Sequence, residues 1–453
     1  MPGRWKRVGF LAAITAALAA AAAVSLANAM TDRGAGTSAA AATNLSIMGF
    51  GTNGDDVAMT RFRIAEKAVG GNVDAPNGGF DDQQFLAAVA ARDVPDLVYW
   101  DRQKVGTYAA RGAIIPLTSC IKSQKINTKQ YRKAALSEIT YKGKLYGIPE
   151  FYDVRTIIAN LDVLAKAKVK LADLNTKNWP RLKAAAKKMY ATSGGKITRL
   201  GFDPKLPEFF PLWAKANGVD ILSKDGLRPH LNDPRAIAAL QYAVSLYSAQ
   251  GGYDKFHAFS QTWDFFGKEN QVAKDQLGAW PMEQWYYNVL ARNSPQVKIR
   301  ALPFRARNGK VLNYETGAAW SIPKGAKHQK AACTWMKVMT QVSTWMAASK
   351  NRAAVRKQQG RPYTGISTAN AVADKRIIKE DYTPINKYFD QTTKLVLQVQ
   401  QHSFNIPASP ASAEFFDAWT NAVNNVLTGQ ASPRSALNKA QKTALAAIKN
   451  AQK

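Results

Sequence analysis

Short apolar runs that stop at turn residues alternate with stretches of helical spacing along most of this chain, and that alternation limits its fold more than any other feature. Residues 45–50, 97–100, 144–149, 155–160 and 297–301 read as strands. Helical spacing follows several of them, as in Val57, Arg61, Ile64, Ala65 and Ala68, or in residues 84–91 and 105–111 before Gly112. Strands and helices taking turns build sheets covered by helices, an α/β architecture. Trp335, Val338, Met339, Val342, Trp345 and Met346 recur at helical spacing and read as core. Phe416, Trp419, Val423 and Val426 do the same before Gly429, a helix stop, and Ser432-Pro433 opens the last helix. The 453 residues are enough for two or three domains with their own cores.

The N-terminus reads as an address rather than as structure. Arg4, Lys6 and Arg7 form a basic head, residues 8–26 an apolar body, and Ala27-Asn28-Ala29 a small-x-small cleavage site. Residues 1–29 are therefore expected to be a secretory signal peptide, and 30–43 a flexible lead-in rich in Ala, Gly and Ser. Export to a periplasm or the cell exterior follows, with membrane tethering if the long apolar run is left uncleaved. Cys120 and Cys333 are the two cysteines; such a compartment permits them to pair, and two separate buried thiols fit the sequence equally. His230, His257, His328 and His402 show no metal spacing, so neither a metal nor a cofactor is expected.

Lys and Arg total 62 against 32 Asp and Glu, a formal +30. Removing the three N-terminal cations leaves 59 against 32, or +27. The excess is spread along the chain and reads as a solvated surface, so nucleic acid is not expected as a partner. The stretch 49–54, GFGTNG, has a GxGxxG spacing after a strand. No free dinucleotide awaits an exported protein, so these glycines read better as a strand-to-helix loop at the mouth of a cleft. Phe50 and Asn53 could then meet a ligand. Carboxyl ends of strands face the ligand crevice of an open α/β sheet, which favours Trp100 and Asp101. Residues 278–289, GAWPMEQWYYNV, hold Trp280, Trp285, Tyr286 and Tyr287 beside Glu283, Gln284 and Asn288. Flat apolar faces next to hydrogen-bonding groups suit a sugar.

Four segments in order resemble the extracellular solute-binding proteins of ABC importers, in the oligosaccharide group that includes the maltose-binding type. They are PDLVYWDRQKVGTYAARGAIIPL, KLYGIP followed by RTIIAN, GAAWSIPKGAKHQKAACTWMKVMT, and NIPASPASAEFFDAW with VLTGQASPRSALNKAQKTALAAI. The resemblance implies a two-lobe periplasmic-binding-protein-like fold (type II). Each lobe would be a mainly parallel sheet flanked by helices, with a hinged cleft between. Lobe 1 would hold residues 44–153 and 300–343, and lobe 2 residues 154–299 and 344–453, with crossings near 152–156, 297 and 340–345. The function implied is non-catalytic capture of a sugar or oligosaccharide and delivery to a membrane permease, by a monomer. Trp285 matches a sugar-stacking position of the group, while Glu283 stands where the group usually has a small residue. In such a cleft Asp101, Asp153, Glu283 and Glu315 would accept sugar hydroxyls and Arg155 would donate. Trp213 and Trp263 could be platforms or core. Two other functions fit less well: a secreted glycoside hydrolase, for which no catalytic motif is evident, and a binder of an anionic ligand, suggested by the net charge.

Overall fold

The computed structural model describes residues 44–453, so the expected signal peptide and lead-in lie outside the described residues. Two sheets organise the rest. The first has five strands in the spatial order Val73–Asp74, Leu45–Met48, Leu97–Asp101, Ala318–Ser321 and Ile148–Pro149. The second has seven, in the order Ser403–Phe404, Val311–Tyr314, Ile299–Arg305, Arg155–Asn160, Leu277–Glu283, Lys196–Phe202 and Ala191–Ser193. Each sheet, with the helices on it, forms one lobe.

Both sheets are mixed rather than mainly parallel, and the cause is the traffic between lobes. A strand that leaves the junction must run against those that arrive at it. Arg155–Asn160 leaves, and it is antiparallel to Leu277–Glu283 and Ile299–Arg305. Ala318–Ser321 likewise leaves, antiparallel to Leu97–Asp101.

The chain passes from the first sheet to the second at residues 150–154. The second crossing is at residues 315–317 rather than near Val297, because Ile299–Arg305 and Val311–Tyr314 pair within the second sheet. The third also moves. Helix Val342–Gln358 packs on helix Asp56–Val69 of lobe 1, with Trp345, Ala348 and Val57 in one apolar cluster and Arg352 paired to Asp55 at 2.5 Å. Helix Lys387–Val399 lies on lobe 2, where Gln391 exchanges two hydrogen bonds with the Ala301 backbone at 2.9 and 3.0 Å. The third crossing therefore falls at residues 381–386.

The helical stripe around Trp335 is core, as its spacing predicts. Trp335 and Met339 are fully buried, and the Trp335 ring meets Phe62 at 5.3 Å and Trp320 at 6.0 Å. Cys120 and Cys333 are bonded, Cα atoms 5.5 Å apart, joining two helices of lobe 1. Helix Ser412–Leu427 touches both lobes. Its start sits against Gly106, where a Cβ would meet the Ser409 carbonyl at 2.4 Å, while its Trp419 packs near Phe210 of lobe 2.

Candidate functional site

The segment 277–293 divides its aromatics between core and cleft. Strand Leu277–Glu283 is buried throughout, and Trp280, 1% exposed, packs edge-on against Tyr286 and Trp263. At the carboxyl end of the strand Gln284 stands just before helix Trp285–Asn293, with its side chain turned away from the helix's own N–H groups. The Gln284 side chain accepts a hydrogen bond from the Val154 backbone and donates one to the Tyr152 carbonyl at 3.3 Å. The helix start is thereby fixed to the first crossing. Trp285 projects from it with 37% of its surface open, beside Phe266. Tyr287, one helical step on, is buried with its hydroxyl 2.7 Å from Thr156 Oγ1.

The two crossings between the sheets carry a buried network of charge. Arg155 pairs with Glu283 at 2.8 Å, donates to Thr316 Oγ1 at 3.0 Å and to the Tyr314 carbonyl, and lies 4.7 Å from the rings of Phe209 and Tyr314. Thr316 in turn donates to Asp153 at 2.8 Å. Arg102 donates to Glu138 and to the Phe151 carbonyl, both at 2.6 Å, and pairs with Glu315. Gln103 of lobe 1 donates to the Tyr314 hydroxyl of lobe 2 at 2.6 Å. Burial disfavours the charged form of each carboxyl group, and the guanidinium groups offset this only in part. Asp153 is pushed up to about 6 by burial, against the pull of Arg155 and with the added repulsion of Glu283. Glu138 is pushed up to about 7 by burial, opposed by Arg102.

Glu208, on the lobe 2 side, faces the same region. Its carboxyl is pushed up to about 7 by the surrounding protein and by the like charge of Glu283, opposed by Lys205 and Arg155. Yet 52% of its side-chain surface reaches solvent, so the walls crowd it without closing over it. That combination marks a concave, open position. Beside Trp285, residues of both lobes, including Arg352, Ser367 and Thr393, line a cavity of about 70 Å³. A second, of about 10 Å³, lies between Gln103 and Glu138 of lobe 1 and Leu222, Phe415 and Phe416.

The structure brings Asp153, Arg155, Glu283 and Glu315 together at the crossings, with Trp285 at their edge. Asp101 is exposed at the end of its strand, its carboxyl raised by burial of its surroundings, with Lys104 opposing. Asn53 is exposed, its N–H donating to Asn77 at 3.2 Å. Three expected ligand contacts need correction. Phe50 is buried against Tyr99 and Trp320, at 5.3 and 5.0 Å. Trp100 stacks on Tyr108 at 4.8 Å and donates to Ser321 Oγ, because helices cover both faces of its sheet. Trp213 is fully enclosed in lobe 2 and donates to the Pro204 carbonyl at 2.8 Å. Trp263, half-buried and edge-on to Trp280 at 6.2 Å, fits either a platform or the core. Glu315 is in place but enclosed against Arg102. Sequence reasoning missed Glu208, Lys205, Gln103, Glu138 and Thr316, and read as core Phe416, which is 36% exposed and lines the smaller cavity. Glu208 stood in the segment singled out for Trp213, with the charged residue passed over for the aromatic one.

Comparison with known proteins follows the same line. Residues 65–358 match the family described as bacterial extracellular solute-binding protein. An arabinooligosaccharide-binding protein of Bacillus subtilis (strain 168) is 23% identical over 261 residues, 57% of this chain and 58% of that protein, so the match spans under two thirds of the relative. The maltodextrin-binding protein MdxE of the same organism is 22% identical over 359 residues, 77% of this chain and 76% of its own length. Among solved structures, CpMnBP1 with mannotriose bound superposes with a TM-score of 0.72 at 23% identity, covering 88% of this chain and 99% of that one. The maltose/maltodextrin-binding domain MalE from Bdellovibrio bacteriovorus, bound to maltotriose, gives 0.68 at 20% identity, covering 90% and 99%. At these identities the structural likeness is one of fold.

Proposed function

Because this chain belongs to the bacterial extracellular solute-binding protein family, we propose that it captures a sugar or oligosaccharide between its lobes, leaves it chemically unchanged, and presents it to an ABC transporter permease. The observation that carries the sugar reading is the junction at residue 283. There a half-open indole, Trp285, follows Glu283 and Gln284 at the meeting of two lobes, and Glu208 faces Glu283. An aromatic face covers the C–H side of a sugar ring while carboxylates and amides take its hydroxyls. The names of the relatives, binders of arabinooligosaccharide and maltodextrin, point the same way. Carboxylates in the cleft weigh against an anionic ligand.

The cavity beside Trp285, about 70 Å³, is well below the roughly 300–1,000 Å³ of ordinary small-molecule sites. A sugar stacked on Trp285 therefore enters as the lobes part, and ligand that touches both lobes favours the closed shape. A thermal-shift panel of mono-, di- and oligosaccharides tests this. A ligand at a hundred times its dissociation constant stabilises the native state by about 2.7 kcal/mol. No shift with any sugar rejects the sugar reading, and release of shorter products during incubation rejects passive capture.

A further inference from the structure

The net charge of this protein and the charge of its cleft have opposite signs. The chain without its first 29 residues carries +27, yet the cleft and crossings gather Asp101, Glu138, Asp153, Glu208, Glu283 and Glu315 against Arg102, Arg155 and Lys205. The two arginines are committed. Arg102 serves Glu138, Glu315 and the Phe151 carbonyl, and Arg155 serves Glu283, Thr316 and the Tyr314 carbonyl. Further cations of lobe 1 are also committed: Lys104 to Asp82, Arg132 to Asp374, and Arg352, which lines the cavity beside Trp285, to Asp55 and Asp56. Glu208 is left with Lys205 alone, at 3.6 Å. Its other charged neighbours are Glu283, which repels it, and Arg155, already shared.

A second observation is independent of the charge count. Glu138 is 1% exposed, and while one of its oxygens takes the Arg102 Nε–H, Oε1 has no hydrogen-bond partner. Glu138 lines the small cavity between the lobes beside Gln103 and Phe416. A buried carboxylate oxygen without a donor is costly, and a ligand donor reaching this cavity would satisfy it.

A hydroxyl group gives such carboxylates a hydrogen bond but no charge, whereas an ammonium gives three donors and a positive charge. We propose that the cleft prefers a sugar bearing a protonated amine to its neutral counterpart, the amine being held by Glu208 and Glu283, with Glu138 Oε1 as a further acceptor. This rests on the sugar reading and narrows it. Long-range repulsion by the net positive protein works against an amine, so any preference for one must arise locally, in the cleft.

Isothermal titration with matched pairs tests the proposal. Glucose, mannose and galactose are compared with their 2-amino forms, and β-1,4-linked glucose oligomers with glucosamine oligomers of equal length. At pH 7 an amine-bearing sugar is expected to bind at least about tenfold more tightly than its neutral partner, the worth of one charge-assisted hydrogen bond. Lowering the pH to 5 protonates Glu208, Glu138 and Asp153, raised to about 7, 7 and 6, and shrinks the preference, while neutral-sugar affinity changes little. Glu208→Gln, at a half-open position that spares the fold, removes most of the preference, read as the ratio of the two affinities within that variant. Equal or tighter binding of the neutral partner overturns the amine proposal and leaves the sugar reading intact, as does a preference that survives Glu208→Gln. Failure of every amine-bearing sugar while neutral ones bind overturns it too. If no sugar of either kind binds, both readings fall.

Discussion

Trp280 and Trp285 sit five residues apart and do different work, and the difference lies in what surrounds each ring. Trp280 points from a strand buried on both faces and is enclosed by Tyr286, Trp263 and Phe265. Truncating it leaves a large void. Trp280→Ala is expected to cost about 3–5 kcal/mol of stability, read from urea unfolding. Trp285 begins the following helix and is enclosed on one side only. Trp285→Ala is expected to cost under about 1 kcal/mol of stability. The same change should remove about 1.5–3 kcal/mol of sugar affinity, roughly ten- to a hundredfold. Unchanged affinity in a well-folded Trp285→Ala protein would take this residue out of the site.

At the scale of elements, the two crossings hold the buried charges, and their protonation links the hinge to pH. Glu138 lies at about 7 in the folded protein against an ordinary 4.5, and Asp153 at about 6 against 3.8. A group raised by folding binds its proton more readily folded than unfolded. The stability this confers is complete below the unfolded value and is lost as pH rises through the folded one. Glu138→Gln imitates the protonated side chain at every pH. Between pH 4.5 and 7 the stability of the wild type is therefore expected to fall relative to Glu138→Gln, measured by denaturant unfolding at both ends. A constant or opposite difference would mean that Glu138 stays ionised beside Arg102. The sequence made the strands on either side of the crossing at 150–154 legible, because apolar runs with turn residues at their ends have few other uses. It hid the other two crossings, since helix Val342–Gln358 carries a buried stripe whichever lobe it covers. Trp100 was misread for a related reason, and Trp213 was left open by it: an aromatic at a strand end or in a Pro-rich turn looks the same whether one or both faces are covered. Glu208 was legible only as a charge, because its partner Glu283 lies 75 positions later in the chain and meets it through the fold.

Across the whole molecule, lobe 1 is assembled from chain on both sides of lobe 2, and the bond between Cys120 and Cys333 closes that arrangement. It spans 213 positions and encloses the central strands of the second sheet. Replacing both cysteines by Ser is expected to lower stability by about 2–5 kcal/mol. Sugar affinity should be kept, because neither residue lines the cavities between the lobes. Closure belongs to the same scale. The lobes are joined by three crossings and by contacts such as Gln103 to Tyr314 and Arg356 to Asn288, at 2.6 and 3.2 Å. Each such hydrogen bond contributes about 0.5–1.5 kcal/mol, and helix Ser412–Leu427 adds Arg111 to Glu414 and Ala413 to Thr107 across the same junction. Free protein should populate wider shapes than this one, and a bound sugar should draw it back by touching both lobes. Small-angle X-ray scattering is expected to show the radius of gyration falling when sugar is added. Gln103→Ala, which removes one contact between the lobes, should widen the free protein further. A radius indifferent to ligand in both proteins would mean that the lobes do not move and that capture proceeds by some route other than hinge closure.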